Sequence, residues 1–255
     1  MSKYKIGVTE AGDAGLDLSW ADKLGTIDGA VVITKRVSPE FRKAVLVNKD
    51  RLIVHATTTG FGGSIIEPNV PTVAYQLKSV LKLVEDGFPK NKVVIRIDPL
   101  IPTARGLETA LNVIKKFMDD GFSRYRISVI DMYPHARKRF AEAGLPLPYG
   151  DGFKPSKRQF KLVDNMLIAA KEYWCKSNNS EELRIEACAE PELNEPIQCG
   201  CISTYDIKLL GFETDNNEID SLGYQRRGCM CYSGKTGLLE HKKRCEHGCL
   251  YCYWR

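Results

Sequence analysis

Residues 92–131 read KVVIRIDPLIPTARGLETALNVIKKFMDDGFSRYRISVID, which predicts a strand, a helix and a second strand in that order. The runs KVVIRID (Lys92–Asp98) and RYRISVID (Arg124–Asp131) are rich in β-branched residues, as strands buried on both faces of a parallel sheet are. Between them, apolar residues recur at helical spacing from Leu107 to Met118, and Gly121 marks the end of the helix. Two strands joined by a helical crossover form the basic unit of a parallel α/β fold.

The same alternation extends along most of the chain. Four further runs predict strands: KIGV (Lys5–Val8), AVVIT (Ala30–Thr34), RLIVHATTT (Arg51–Thr59) and LRIEAC (Leu183–Cys188). Two more helical patterns occupy residues 73–87 and 157–174. Six strands with right-handed crossovers predict a (β/α) partial barrel related to the (β/α)8 type, with an open sheet as the alternative. We assign residues 1–190 to this scaffold.

The composition indicates the class of protein and its compartment. Of the 255 residues, 43% are hydrophobic and 27% charged, which is typical of a globular protein. No run approaches the length of a membrane span, and the first residues lack the apolar stretch of a signal peptide. We therefore expect a cytoplasmic protein with no membrane partner.

The cysteines are unevenly distributed. All nine lie between Cys175 and Cys252, and the first 174 residues contain none. A disulfide framework is not expected in a cytoplasmic protein. We assign residues 191–255 to a cysteine-rich, metal-binding region that packs on the same domain. Cys175 follows Trp174 in an apolar helical pattern and is expected to be a small buried residue.

Three cysteines are concentrated in CEHGCLYCY (Cys245–Tyr253), where Cys245, Cys249 and Cys252 have the spacing C-x3-C-x2-C. Structural zinc would require a fourth ligand from a nearby side chain (His241, His247, Cys229 or Cys231). A four-iron, four-sulfur cluster held by three thiolates would instead leave one iron without a protein ligand. That open iron can bind S-adenosylmethionine.

The segment resembles the C-x3-C-x-aromatic-C hallmark of the radical S-adenosylmethionine (radical SAM) superfamily, with Tyr251 in the aromatic position. Its CxYCY pattern is also similar to that of the spore photoproduct lyase branch. The resemblance implies a 4Fe-4S cluster on Cys245, Cys249 and Cys252, with S-adenosylmethionine as the second cofactor. It also implies an electron donor of the flavodoxin or ferredoxin type. Most radical SAM proteins carry this motif after their first strand, whereas here it is C-terminal.

Most of the chain also resembles a family of uncharacterised bacterial proteins that have such a C-terminal cysteine cluster. The resemblance is carried by VVITK (31–35), TTTGFGGSIIEPNVP (57–71), VVIRIDPL (93–100), ISVIDMY (127–133), CAE (188–190), CIS (201–203), QRRGCMC (225–231) and CEHGCLYCY. Cys188, Cys201, Cys229 and Cys231 fall on family positions. They are enough for a second metal site, either an auxiliary cluster or a structural zinc.

Polar residues follow several predicted strands, where the active sites of parallel α/β folds lie. Gly62 and Gly63 would let the backbone approach the adenosyl or methionyl part of S-adenosylmethionine, with Glu67 nearby; an ordinary turn is the alternative. Arg96 and Asp98 would bind the methionine carboxylate and amine, or would pair with each other.

Four further residues complete the candidate site. Asp131 and Tyr133, at the end of the fifth predicted strand, are the candidate catalytic residues. Tyr133 and Tyr253 are also candidates for quenching the product radical. Tyr251, inside the cysteine motif, is assigned to cofactor binding.

The charge distribution indicates the class of substrate. The formal net charge is +5, and residues 134–161 and 224–255 are both rich in Lys and Arg. Such stretches favour a phosphorylated, nucleotide or nucleic-acid substrate, for base modification or repair. One alternative is a zinc-stabilised, non-catalytic nucleic-acid-binding module. Another is an ordinary (β/α) hydrolase or lyase that uses Asp98, Asp131 and Glu186.

Overall fold

The computed structural model of the chain describes residues 3–177, 182–213, 219–220, 230–240, 244–253 and 255, with only the backbone at 219, 220 and 231. Its main feature is an eight-stranded parallel sheet that curves into a half-barrel. The strand order is β10-β1-β2-β3-β4-β5-β6-β7, and β8 and β9 form a separate antiparallel pair. The strands are β1 (Ile6–Val8), β2 (Gly29–Thr34), β3 (Leu52–Thr57), β4 (Val93–Leu100), β5 (Arg124–Val129), β6 (Arg184–Cys188), β7 (Ile197–Cys199), β8 (Ile219–Asp220), β9 (Cys231–Tyr232) and β10 (Lys235–Gly237).

Helices connect these strands. They are α1 (Pro39–Val47), α2 (Val73–Glu85), α3 (Ala104–Asp119), α4 (Pro134–Glu142), α5 (Lys157–Lys176) and α6 (Thr204–Leu209). Side chains of Thr72, Thr103 and Ser156 accept hydrogen bonds from the first turns of α2, α3 and α5, which fixes where these helices begin. Within the described part of the chain, no helix is long and apolar enough to cross a membrane.

The outer face of the sheet packs against the helices. Ile114 and Phe117 of α3 are fully buried in one cluster with Ile95 of β4 and Ile127 of β5. Burying a side chain of this size contributes about 1.5–3 kcal/mol. The apolar spacing that predicted α3 from the sequence is therefore the spacing that attaches it to the sheet.

The inner face of the sheet encloses a network of paired charges. Arg126 is fully buried and forms ion pairs with Glu186 and with Asp206, the latter at 3.0 Å. Arg124 pairs with the second oxygen of Asp206, at the start of α6. Charges buried in this way persist only when they are paired and hydrogen-bonded. Glu186 is buried and paired with Arg126 and Arg184. A carboxylate in this position is not accessible to a substrate, which disfavours the catalytic role that a hydrolase or lyase would require of Glu186.

The six predicted strands and the partial-barrel expectation are confirmed, but the sheet has two further edge strands. Both come from the cysteine-rich region: β7 pairs with β6, and β10 pairs with β1, where Ile6 faces Lys235. Residues 191–255 therefore complete both edges of the half-barrel, so the scaffold extends beyond residue 190. Each added strand is only three residues long, too short for a recognisable hydrophobic pattern.

Candidate active site

A cavity of about 610 Å³ opens at the carboxyl ends of β1 to β5. Its wall includes Cys245, Cys249 and Cys252 from one side and residues at the strand ends from the other. The strand-end residues include Lys35, Thr57, Arg96, Asp98, Ser128, Asp131 and Tyr133. Residues separated by more than 200 positions in sequence thus share one cavity, at the edge of the sheet where parallel α/β proteins place their active sites.

The cysteine segment (residues 244–253) is attached to the loop that follows β3. The backbone N–H of Leu250 donates to the carbonyl of Ile66 at 3.0 Å, and Asn69 Nδ2 donates to the carbonyl of Glu246 at 2.7 Å. On its other side, Arg139 of α4 donates to the carbonyl of Cys252. These bonds and the buried side chain of Leu250 hold the three cysteines against the cavity.

Asp13 and His247 join the cysteine segment to the loop after β1. His247 is 1% exposed, and its Nε2 lies 2.9 Å from Asp13 Oδ2. Burial alone would raise the pKa of Asp13, but bonds to His247, Thr34 and Lys35 outweigh it and lower that pKa. The sequence interpretation did not assign a partner to His247, because nothing in the local spacing relates residue 247 to residue 13.

A second network lies beneath Cys249. Lys35 Nζ is 2.9 Å from Glu67 Oε1, Thr59 donates to Glu67 Oε2 at 2.6 Å, and the Tyr251 hydroxyl also donates to Glu67. Although burial opposes it, the carboxylates of Glu67 and Asp98 keep the pKa of Lys35 above its ordinary value. The network therefore places a protonated lysine close to Cys249.

Burial suppresses ionisation of the metal-free thiols. It raises the pKa of Cys249 to about 12, against which Lys35 acts in the opposite direction. Burial also raises the pKa of Cys245. Both thiols therefore have to lose a proton to become ligands, and Lys35 favours the thiolate at Cys249.

The glycine-rich loop, which contains Gly62, Gly63 and Glu67, packs next to the cavity without lining it. Glu67 is fully buried, and none of Gly62, Gly63 and Glu67 lines the cavity. A Cβ at Gly62 would lie 2.0 Å from the carbonyl oxygen of Pro71, and Gly63 has φ of +78°. The tight turn that brings Glu67 to Lys35 requires glycine at these positions, and their role in cofactor binding stays a prediction.

Arg96 and Asp98 line the cavity and pair with each other, so both sequence interpretations of these residues remain compatible with the structure. Asp131 and Tyr133 lie on the same wall. Tyr251 also lines the cavity while its hydroxyl is bonded to Glu67. The cavity thus brings together the candidates of the radical SAM interpretation that lie outside the glycine-rich loop and the second cysteine set.

An aromatic cluster, which we define as Tyr133, His135, Phe153 and Tyr253, stands at this end of the sheet. The Tyr133 and Tyr253 ring centroids are 4.8 Å apart, and His135 and Phe153 lie 5.8 and 4.8 Å from Tyr133. Tyr133 and Tyr253 line the cavity, and the Tyr253 side chain is half exposed. The sequence interpretation missed His135 and Phe153, because their pairing depends on how α4 and the following loop pack.

Among the residues that the structure describes, carboxylates outnumber cations on the cavity wall. The acidic residues are Glu10, Asp13, Asp17, Asp98, Asp131, Glu240 and Glu246, and the basic ones are Lys35, Arg96 and Arg244. Two arginines of the basic stretch 134–161, Arg137 and Arg139, donate to backbone carbonyls of the protein itself. Arg226, Arg227, Lys242 and Lys243 lie outside the described residues, as does His241.

The remaining cysteines occupy different environments. Cys188 and Cys201 are buried, and their sulfurs are 3.9 Å apart on the inner face of the half-barrel. Cys229 and the side chain of Cys231 lie outside the described residues. Cys175 is exposed, so the expectation that it would be buried is wrong. Among the described residues, no three His, Cys, Asp or Glu side chains converge as ligands of a single metal ion.

The fold and this cavity together define an α/β half-barrel protein with a cysteine-lined site at the carboxyl edge of its sheet. The chain belongs to the family described as a domain of unknown function, DUF1848, which matches residues 21–254. A search of curated proteins found no match to the chain.

Proposed function

We propose that this chain is a radical SAM enzyme whose 4Fe-4S cluster is bound by Cys245, Cys249 and Cys252. The observation that carries the proposal is the position of these thiols, which line one cavity together with the strand-end residues Arg96, Asp98 and Asp131. When bound, the reduced cluster supplies one electron that breaks the C5′–S bond of S-adenosylmethionine, giving methionine and a 5′-deoxyadenosyl radical that takes a hydrogen atom from the substrate.

The donor set and the size of the cavity suit this pair of cofactors. Cys245, Cys249 and Cys252 would hold three irons of a four-iron cluster, and the fourth iron would be available to bind S-adenosylmethionine. A volume of about 610 Å³ is within the usual range for a small-molecule site. A single zinc ion would instead need a fourth ligand besides these three thiols.

Charges around the cysteines would help to hold the cluster. Lys35 would offset part of the negative charge of the thiolates, and Glu67 fixes its position. The Asp13–His247 contact would keep the cysteine segment against the sheet. Because Cys249 is protonated without metal, loading of the cluster would release protons.

Arg96 and Asp98 are suited to the methionine part of S-adenosylmethionine. They present one guanidinium and one carboxylate on the same wall, which matches the carboxylate and ammonium of an amino acid. Asp131 and Tyr133 line the same cavity and would face the substrate. Tyr133 carries a phenolic hydrogen that could be donated to a product radical.

The aromatic cluster favours a substrate with a flat ring, such as a nucleobase, which would stack on Tyr133 and Tyr253. The excess of carboxylates among the described residues of the wall disfavours phosphate groups inside the cavity. A nucleotide or nucleic acid would therefore insert only its base, and a base within a duplex would first be extruded. An electron donor of the flavodoxin or ferredoxin type would reduce the cluster.

Anaerobic reconstitution with iron and sulfide tests the cluster itself. About four irons and four sulfides per chain are expected, with absorption near 400 nm. The Cys249→Ala variant should lose them, whereas Cys175→Ala, which removes an exposed thiol of α5, should not. A reconstituted protein that holds zinc but no iron and sulfide would overturn the proposal.

A further inference from the structure

A group of exposed cations stands next to the aromatic cluster, on the loop before α5 and the first turns of that helix. We call this group the basic face; it consists of Lys154, Lys157, Arg158 and Lys161. Lys154 directly follows Phe153, whose ring packs against Tyr133 of the cavity wall. We propose that the basic face binds the phosphates of a single-stranded nucleic acid, one base of which enters the cavity. This inference deepens the proposed function and rests on it for the fate of that base.

The element order places the basic face at the same edge of the sheet as the cavity. Because β5 and β6 are parallel and α5 connects back to the start of β6, α5 begins near the carboxyl edge. Hydrogen bonds attach the preceding loop to the segment after β5. The N–H of Met132 donates to the carbonyl of Phe153 at 2.9 Å, and the Tyr149 hydroxyl donates to the carbonyl of Ile130 at 2.8 Å.

The protein itself does not compensate the charges of the basic face. Residues 134–161 contain seven Lys or Arg against two carboxylates, and those two, Asp151 and Glu142, pair with Arg137 and Lys138 of α4. Among the residues that the structure describes, none of the four cations of the basic face forms an ion pair. Cations at the start of a helix also oppose its dipole, so they do not serve to stabilise α5. A ligand with negative charge would supply the missing compensation.

Two exposed aromatic rings connect the basic face to the cavity. Phe153 is 40% exposed and Tyr253 is 52% exposed, and the centroid of each ring lies 4.8 Å from that of Tyr133. Aromatic rings beside cations are typical of surfaces that stack the bases of a single strand while binding its backbone. In a duplex the bases are stacked on one another, so their faces are not available to such rings. The arrangement therefore favours a single strand over a duplex.

The charges assign the phosphates and the base to different places. Among the described residues of the cavity wall, carboxylates outnumber cations, and none of the four cations of the basic face lines the cavity. Phosphates would therefore stay outside, on the basic face, while an uncharged base passes over Phe153 to Tyr133. A free nucleotide that places its base in the cavity would leave most of these cations unused. An acidic protein is the competing partner for such a face, and the test separates it from nucleic acid.

Fluorescence anisotropy with the full-length chain, in the absence of S-adenosylmethionine and dithionite, measures this binding. The probes are labelled single strands of DNA and of RNA of about 12 nucleotides, compared with a duplex and with polyglutamate. Four phosphate contacts predict that log affinity falls with log salt with a slope of about −2.8. The variant Lys154→Gln/Lys157→Gln/Arg158→Gln/Lys161→Gln should lose most of this slope and bind about tenfold more weakly or worse at low salt. The tighter-bound strand identifies the type of nucleic acid.

Two further variants separate stacking from charge. Phe153→Ala should weaken the binding of single strands about fivefold or more and leave the salt slope unchanged. The matched control replaces four exposed lysines of other regions with glutamine and should bind single strands as wild type does; these are Lys43, Lys49, Lys78 and Lys116. Equal affinities of the basic-face variant and this control would overturn the inference. Duplex or polyglutamate bound as tightly as a single strand, with no effect of Phe153→Ala, would also overturn it.

The outcome is independent of the proposed radical chemistry. A chain that binds single strands through the basic face but forms no iron–sulfur cluster would contradict only the proposed function. A chain that releases 5′-deoxyadenosine but does not bind single strands would contradict only this inference.

Discussion

His247 Nε2 lies 2.9 Å from Asp13 Oδ2, a contact between residues 234 positions apart that connects the loop after β1 to the cysteine segment. The same carboxylate accepts hydrogen bonds from the N–H of Gly15 at 2.8 Å, the hydroxyl of Thr34 at 2.6 Å and the N–H of Lys35 at 2.7 Å. Asp13 therefore orders two strand-end loops and the segment that carries the proposed cluster ligands.

Replacing Asp13 with alanine should destabilise the protein by about 3 kcal/mol, because it leaves several buried donors without an acceptor. Urea unfolding at pH 7 would measure the loss. Hydrogen exchange in residues 244–253 should also become faster. Glu246→Ala, at an exposed position of the same segment, is the matched control and should change stability by less than about 0.5 kcal/mol. Equal stabilities of the two variants would contradict the anchoring role.

Glu67 should make stability depend on acidic pH. Burial raises its pKa, but Lys35, Thr59 and Tyr251 outweigh burial and lower it below the ordinary value of 4.5. A carboxyl whose pKa is lower in the folded state than in the unfolded state stabilises the protein at pH values above the unfolded-state pKa. This stabilisation is lost as the pH falls below 4.5. Urea unfolding between pH 3 and 7 should therefore show that the difference in the free energy of unfolding between wild type and Glu67→Gln becomes smaller as the pH falls. A gap that stays constant would contradict this role of Glu67.

Lys35 should set the reduction potential of the proposed cluster. A unit charge about 6 Å away in an effective dielectric of about 20 contributes about 3 kcal/mol, or on the order of 100 mV. Lys35→Met should lower the potential by an amount of that order, because reduction adds negative charge that the lysine no longer offsets. A redox titration followed by electron paramagnetic resonance measures the shift.

The double variant Lys35→Met/Glu67→Gln is the matched control for that experiment. It removes both charges of the pair, so its potential should return towards the wild-type value. If both variants have the wild-type potential, Lys35 does not influence the cluster electrostatically.

The buried charges on the inner face should contribute far more than charges on the surface. Arg126→Met would leave Glu186 and Asp206 incompletely paired, at a cost of about 3–5 kcal/mol in the free energy of unfolding. Lys138→Met removes an exposed helical ion pair with Glu142 and should cost less than about 0.5 kcal/mol. Denaturant unfolding of the two variants compares these values. Similar losses of unfolding free energy in the two variants would mean that the buried ion pairs of Arg126 do not stabilise the fold more than a surface ion pair does.

Alkylation rates should separate the cysteines in metal-free protein. Cys175 is exposed on α5 and should react rapidly with iodoacetamide at pH 8. Cys249 is buried with its pKa raised to about 12, so its thiolate fraction at that pH is very small and its labelling slow. Peptide mass spectrometry over time gives both rates. Labelling of Cys249 as fast as Cys175 would contradict the described burial.

Periodicity in the sequence was sufficient to predict the central strands and the long helices α2, α3 and α5, because each buries a regular pattern of apolar residues. It missed β7 and β10, whose three residues each carry no such pattern. The prediction for Cys175 was wrong because adjacent helical residues point about 100° apart, so Trp174 faces the core while Cys175 faces solvent.

The candidate site was predictable only where its residues are close in sequence. The spacing of Cys245, Cys249 and Cys252 is a local signal, and these residues do share a cavity with the strand ends. The pairs Asp13–His247 and Lys35–Glu67 depend on how distant loops meet, and no local pattern encodes them. Gly62 and Gly63 form the turn that presents Glu67, and the role in cofactor binding that the sequence analysis considered beside an ordinary turn stays a prediction.

The most direct test of the proposed chemistry is the release of 5′-deoxyadenosine by the anaerobically reconstituted protein after addition of dithionite and S-adenosylmethionine. We predict that wild type and Cys175→Ala release 5′-deoxyadenosine together with methionine, and that Cys249→Ala releases neither. A protein loaded with four irons that produces no 5′-deoxyadenosine, or equal release by Cys249→Ala and wild type, would contradict the assignment of this cavity to radical SAM chemistry.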